Sequence, residues 1–280
     1  MFSGFNLKLL EDFFENKYDY YIKIGKKCVK SQIEKYNDDL QKYIMCVGED
    51  REILNGNKIQ SDWFPQVSAD IFISHSHDDE DLANAFAGWL YDKFELTSFI
   101  DSNAWGYIDD LLCLLNDEYT VKQYTDELQV FYLPEDYNRA AQHAYIMLLM
   151  ALQNMIDKVE SVFLLNTDQS VTVFEDDHMN HTYSPWIYSE IVCTQFIRKR
   201  PLINYRGKQN IFAESFVKSE LPNNLQIQYD VSLEHLKSLD EDKLNLWNEK
   251  YQNGNYTKAL DALYEFTYKK QLKETRELLN

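Results

Sequence analysis

The chain has little of what makes tight turns, crosslinks or membrane spans. Only 8 glycines and 5 prolines occur in 280 residues, against 20 tyrosines and 16 phenylalanines. That balance argues for long helices with few tight turns, and against disorder. The four cysteines, Cys28, Cys46, Cys113 and Cys193, are widely spaced and form no C-x-x-C pair. A disulfide framework and a thiolate zinc site are thereby disfavoured, and the thiols read as those of a reduced, cytoplasmic protein. The longest apolar run, Ala144–Leu152, is far short of the ~20 residues that span a bilayer, so no membrane is expected. The start, Met1–Asp12, lacks a basic segment followed by a clean apolar stretch, so no signal peptide is expected. Cations are scarce as well. With 28 Lys and Arg against 46 Asp and Glu, the formal net charge is −18. Such a field repels phosphate backbones and speaks against general nucleic-acid binding. An anionic small ligand would need a local pocket of helix N-termini or a few cations.

What is present is ample material for a core, with 45% hydrophobic residues. The length suits one large domain, or one medium domain with extensions. In the first 60 or so residues, Leu7, Leu10, Phe13, Phe14, Tyr18, Tyr21, Ile22, Ile24 and Val29 recur at helical steps. We therefore expect a helical N-terminal extension over about residues 1–66, with a polar linker near Gly48–Gln60. Ala69–Ser74 reads as a strand buried on both faces. A helix follows over about Asp79–Phe94, with Ser76 and Asp79 as a capping-box-like start. Leu96–Ile100 is a second strand. Tyr107–Arg139 is acidic and tyrosine-rich, and is read as an insertion with a short helix near Ile108–Leu115. Ala140–Asp157 is apolar almost all round, so it should be a buried helix. Val159–Leu165 is a third strand, Asn166–His181 a polar loop, Pro185–Lys199 a helix, and Leu202–Tyr205 a further strand. Residues 206–280 form a mainly helical C-terminal extension. The alternation predicts an α/β fold, a flavodoxin-like parallel sheet with helices on both faces.

Two segments carry the chemistry. Asp70-Ile-Phe-Ile-Ser-His-Ser-His-Asp-Asp-Glu80 is an apolar run ending in a polar cluster, with a helix beginning at once. Ligands bind at such strand ends in open α/β sheets, because backbone N–H groups and the helix dipole face outward there. In Tyr183-Ser-Pro-Trp-Ile-Tyr-Ser-Glu190, Ser184 suits an N-cap and Pro185 the first helical position. Glu190 then lies about six residues into the helix, on the face of Trp186. A carboxylate so placed can stabilise a developing cation. A glycosidic bond to a cationic nitrogen heterocycle breaks without an acid, because the leaving group departs as a neutral molecule. One carboxylate beside the sugar therefore suffices, unlike the paired carboxylates of ordinary glycosidases.

Together the two segments resemble the hallmark segments of Toll/interleukin-1 receptor (TIR) domains, over roughly residues 67–205. The resemblance is to the bacterial, NAD-cleaving type that acts in antiphage defence of the Thoeris kind. It implies a TIR fold and an NAD+ glycohydrolase or cyclase that yields ADP-ribose or a cyclic ADP-ribose-type signal. Glu190 would be catalytic, with Phe72, Ser74, His75, Asp101, Trp105, Tyr183 and Trp186 around the substrate. NAD+ would be a substrate, with no further cofactor and no metal. The resemblance also implies self-association through TIR domains and a separate effector protein that senses the product.

The chain departs from the family around Lys93-Phe-Glu-Leu-Thr-Ser, where a glycine is usual, and in the inserted stretch about 107–139. A non-enzymatic TIR interaction module and a deoxyribosyltransferase-like N-glycosidase stand as alternatives. Glu175, Asp176, Asp177, His178 and His181 read as a solvated acidic loop, with metal binding the lesser alternative.

Overall fold

Ser3–Leu7 (β1) is a β-strand hydrogen-bonded to a neighbour on each side. The computed structural model describes residues 1–30, 43–46, 52–100, 102–119, 122–124, 130–132, 134–173, 179–206 and 229–269. After β1, a 3-10 segment at Glu11–Lys17 leads into α1 (Tyr18–Lys30). A hairpin of β2 (Ile44–Cys46) and β3 (Glu52–Leu54) precedes α2 (Gly56–Trp63). Then come β4 (Ile71–Ser74), α3 (Glu80–Phe94), β5 (Ser98–Ile100) and α4 (Ser102–Tyr119). Two short paired strands, β6 (Lys122–Tyr124) and β7 (Val130–Tyr132), lead to the long α5 (Pro134–Lys158). They are followed by β8 (Ser161–Leu165), β9 (Thr172–Val173), β10 (Asn180–Thr182) and α6 (Pro185–Phe196). The described chain closes with β11 (Tyr229–Val231), β12 (Lys237–Leu239), α7 (Glu241–Asn253) and α8 (Ala259–Thr267).

Five of these strands form an all-parallel sheet in the order β12-β1-β8-β4-β5. A period of two sends alternate side chains to opposite faces. Ile71 and Ile73 of β4, with Phe163 and Leu165 of β8, meet a layer built from α1, α3, α7 and α8. Phe72 and Val162 point the other way, into a layer built from α2, α4 and α5. The architecture is α/β and compatible with a flavodoxin-like fold. From β4 onward the spatial order matches the flavodoxin-like one, except that β1 fills the fourth place.

That substitution corrects the expectation for the N-terminal segment. Residues 1–66 are not helical throughout, and two of the five sheet strands, β1 and β12, come from outside 67–205. Pairing on both edges overrides the helix-like spacing of Leu7 and Leu10, since strand formation is set largely by neighbours. Leu202–Tyr205, expected as a strand, is a 3-10 turn. Its buried residues, Leu202 and Tyr205, are three apart, the repeat of that turn. The 18-residue α4 begins before the stretch read as an insertion and runs into it, and its Ile108, Leu111, Leu112 and Leu115 make a buried stripe. The polar loop Asn166–His181 contributes β9 and β10, which pair with β11 in a small antiparallel sheet. No helix among the described residues is long and apolar enough to cross a membrane.

Two glycines let α1 and α3 cross closely. A Cβ added at Gly25 would sit 1.9 Å from Asn84 O, and one at Gly88 would sit 2.0 Å from Tyr21 O. Both obstacles are backbone, so the helices would have to separate. Gly88→Ala should lower the unfolding free energy by about 3 kcal/mol, the upper end of overpacking costs, and so lower the urea midpoint. Gly56→Ala, where nothing lies within 4 Å of the new Cβ, should cost nothing. Equal midpoints for the two variants in urea titration would remove the close-crossing account.

Candidate active site at the carboxyl edge of the sheet

Ser74 ends β4 on the same face as Phe72, toward the side covered by α6. The start of α6 follows its sequence signals. The Ile187 N–H donates to Ser184 Oγ at 3.2 Å, and Pro185 holds the first helical position. Ile187, Glu190, Ile191, Cys193 and Thr194 make the buried face of this helix. Glu190 therefore points inward, and the Ser74 hydroxyl donates to its Oε2 at 2.6 Å across 116 residues of sequence. A bond this short is typical of a hydroxyl meeting an ionised carboxylate.

The pair sits where the sheet reverses direction. The helix after β4, α3, packs on one face, while α6, which follows β8, lies on the other. Ligands gather at such crevices beyond the strand ends. The two strand exits are also tied together, because the Thr167 hydroxyl after β8 donates to Asp79 Oδ2 after β4. Burial pushes the Asp79 carboxyl up from its ordinary value, while the Thr167 hydroxyl and the nearby His75 pull it down. His75 itself is buried beside Ser74. Ser76 caps through its carbonyl, which accepts from the Asp79 N–H at 2.9 Å, and its side chain makes no capping bond.

The remaining expected residues fall in different places. Phe72 lies in the core, its ring 5.3 Å from that of Phe99. Trp186, one turn before Glu190, is half-buried, with its ring 6.1 Å from Tyr145 of α5. Tyr183 is exposed just ahead of α6. The backbone of Trp105 belongs to the first turn of α4. Asp101 lies outside the described residues.

Of the acidic loop, residues 175–178 lie outside the described residues. His181 is buried, with Nδ1 3.0 Å from Asp230 Oδ1 on the adjacent strand. Among the described residues, no group of three or more His, Cys, Asp and Glu is arranged to hold a metal. Burial first, and then the charge of Glu190, push the Cys193 thiol up to about 11. Such a thiol is a poor nucleophile near neutral pH.

Glu190 is only 2% exposed, and Ser74 and His75 are as closed. Two cavities open elsewhere. One of about 880 Å³ lies beyond the carboxyl ends of β12, β1 and β8. Another of about 520 Å³ lies between α2, α4 and α5. Glu190 lines neither. The Thr167–Asp79 tie and the larger cavity had no signal in the sequence. Both depend on which strands lie side by side.

Thr167→Val should destabilise the fold by about 1 kcal/mol by leaving the half-buried Asp79 carboxyl without its hydroxyl donor, the low end of such losses because solvent reaches part of the group. The sign with pH follows from Asp79. A carboxyl whose folded-state pKa is raised favours folding while protonated, and that contribution is lost as pH rises through the folded pKa. Removing the hydroxyl raises that pKa further, so the variant's loss should be larger at pH 7 than at pH 4. Urea titrations at the two values check this, and a loss that shrinks toward pH 7 would refute it.

The chain matches no protein-family model, no curated protein and no solved structure, so the likeness to TIR domains rests on the two segments that carry it.

Proposed function

We propose that this chain has a TIR-type fold and cleaves NAD+ at the bond between nicotinamide and ribose. The supporting observation is the 2.6 Å bond from Ser74 to Glu190 at the β4/β8 crevice. It joins the two segments on which the reading depends. In this mechanism the C1′–N bond breaks and its electron pair stays with nicotinamide, which leaves neutral. The ribose carries the positive charge, and Glu190 stabilises it as the catalytic carboxylate. Ser74 orients that carboxylate. Water then adds at C1′ to give ADP-ribose and a proton, or a nucleophile within the same molecule adds to give a cyclic product. A water-excluded carboxylate acts more strongly on a developing cation than a solvated one.

The burial of Glu190 means that substrate reaches it only after its cover parts. This agrees with activity controlled by self-association, and with a cytoplasmic defence enzyme whose product is read by a separate effector. The same burial favours one rival, a non-enzymatic interaction module in which Glu190 simply anchors the end of β4.

Incubating the full chain with NAD+ at high protein concentration, with a crowding agent to drive assembly, separates the two. Nicotinamide release should be detected by mass spectrometry. Glu190→Gln should reduce it by about 100-fold or more, the scale for loss of a group that stabilises charge in the transition state. Ser74→Ala should reduce it about tenfold or more, as expected for one bond to a charged group. Equal NAD+ loss in wild type and Glu190→Gln would end the catalytic assignment. No loss in either would favour the interaction module.

A further inference from the structure

The larger cavity is not used by the chemistry above, and its walls are unusual. It lies beyond the carboxyl ends of three adjacent parallel strands, β12, β1 and β8, the position where open α/β sheets hold ligands. Its volume of about 880 Å³ falls in the range of small-molecule sites. Carboxylates face it from two directions. Asp240, Glu241 and Asp242 come from the start of α7, and Asp168 comes from the turn after β8, with Lys8 the one cation among the described residues of the wall.

The α7 acids have an ordinary role in part. Asp240 caps the helix by accepting from the Lys243 N–H at 3.0 Å, and also pairs with Lys243 Nζ at 2.7 Å. Glu241 Oε1 accepts from the Leu10 N–H at 3.1 Å. Asp168, however, belongs to no helix start, so capping does not account for it. Between the charges the wall is apolar. Leu10 and Val173 are 67% and 56% exposed on the rim. Asn166, whose Nδ2 donates to Asn6 Oδ1 at 2.9 Å, and Asn180 add side-chain amides to the wall.

These features select against two ligand classes. Phosphate-bearing molecules meet a wall with four carboxylates and one ammonium, in a protein of net charge −18. A metal ion needs several carboxylates converging on one point, and among the described residues no such convergence occurs. Separated anions, side-chain amides and exposed aliphatic side chains match a molecule with separated ammonium groups joined by methylene chains. We propose that this cleft binds a linear aliphatic polyamine. The ammonium groups pair with Asp168 on one side and Asp242 on the other. The methylene segments lie along Leu10 and Val173 and gain from leaving water.

The test is isothermal titration of the full chain with spermidine at physiological salt. Saturable one-to-one binding is expected. Asp168→Asn combined with Asp242→Asn should weaken it about tenfold, the scale for losing two partly exposed ion pairs. Glu234→Gln combined with Glu249→Gln removes equal charge outside the cleft and should leave affinity within about twofold. Gln169→Trp fills the cleft without changing charge, at an exposed position where folding is easily checked by melting, and should abolish binding. Absence of saturable binding, equal weakening by the two charge pairs, or full binding by Gln169→Trp would overturn the proposal. So would displacement of spermidine by adenosine monophosphate. Glu190→Gln should bind spermidine like wild type, so this inference and the NAD+ reading fail separately.

Discussion

Placement of β1 between β8 and β12 is the constraint on which the rest of the structure depends. Without it, β12 has no partner in the sheet, and α7 and α8 lose the surface they cover. Its five residues pair in register with Ser161–Leu165 on one side and Lys237–Leu239 on the other. Phe5 and Leu7 are fully buried beneath α7 and α8. Aromatic packing continues outward from there. Trp247 stacks on Phe94 at 4.1 Å and on Phe163 at 6.4 Å, and its indole N–H donates to Ala259 O at 2.8 Å. One ring thus joins α7, α3, the sheet and α8.

The amino edge of the sheet is closed by a different interaction. The Ser3 hydroxyl meets Ser161 Oγ at 2.9 Å and Tyr264 OH at 3.0 Å. Beside them, Arg206 donates to both oxygens of Glu160, at 2.8 and 3.0 Å, and also to Asp261. Glu160 and Arg206 are almost wholly buried. A buried ion pair of this kind adds little net stability by itself, but losing one partner strands a charge in the core. Its effect is to hold the turn after α6, the start of β8 and α8 in one arrangement. The amino edge is therefore sealed, and the carboxyl edge carries the two crevices.

Those crevices differ in a way that follows from their builders. Beyond β4 and β8 the edge is closed over Ser74 and Glu190, which bond each other, and Thr167 ties the two strand exits through Asp79. The crevice beyond β12, β1 and β8 is open, with a volume of about 880 Å³, although Glu241 links the exits of β12 and β1 through the Leu10 N–H. A buried carboxylate in the first and dispersed carboxylates in the second give the same sheet edge two kinds of chemistry.

Local signals made much of this legible. The apolar run before Ser74, the Ser184-Pro185 start and the apolar character of α5 each depend on residues close in sequence, although α5, expected to be buried all round, is buried on one face only and exposes Ile146 and Met150. Strands β4, β5 and β8 and helices α3, α5 and α6 followed from them. Ser74 and Glu190 could be named for the same reason, one ending a strand and the other a turn and a half into a capped helix. What the sequence could not contain was adjacency. Phe5-Asn-Leu-Lys-Leu9 does alternate apolar and polar, but so short a pattern competes with the helical spacing of Leu10, Phe13 and Phe14, and it becomes a strand because two partners offer it hydrogen bonds on both edges. Thr167 was one hydroxyl in a polar loop until β8 came beside β4. The amino acids by themselves thus determined β4, β5, β8, α3, α5 and α6 and the place of Glu190 on its helix. Only the tertiary structure decided strand order, the closed state of the carboxylate and the open cleft beside it. Hydrogen bonds between strands reward whichever neighbours meet, and which ones meet is set by the packing of the whole chain.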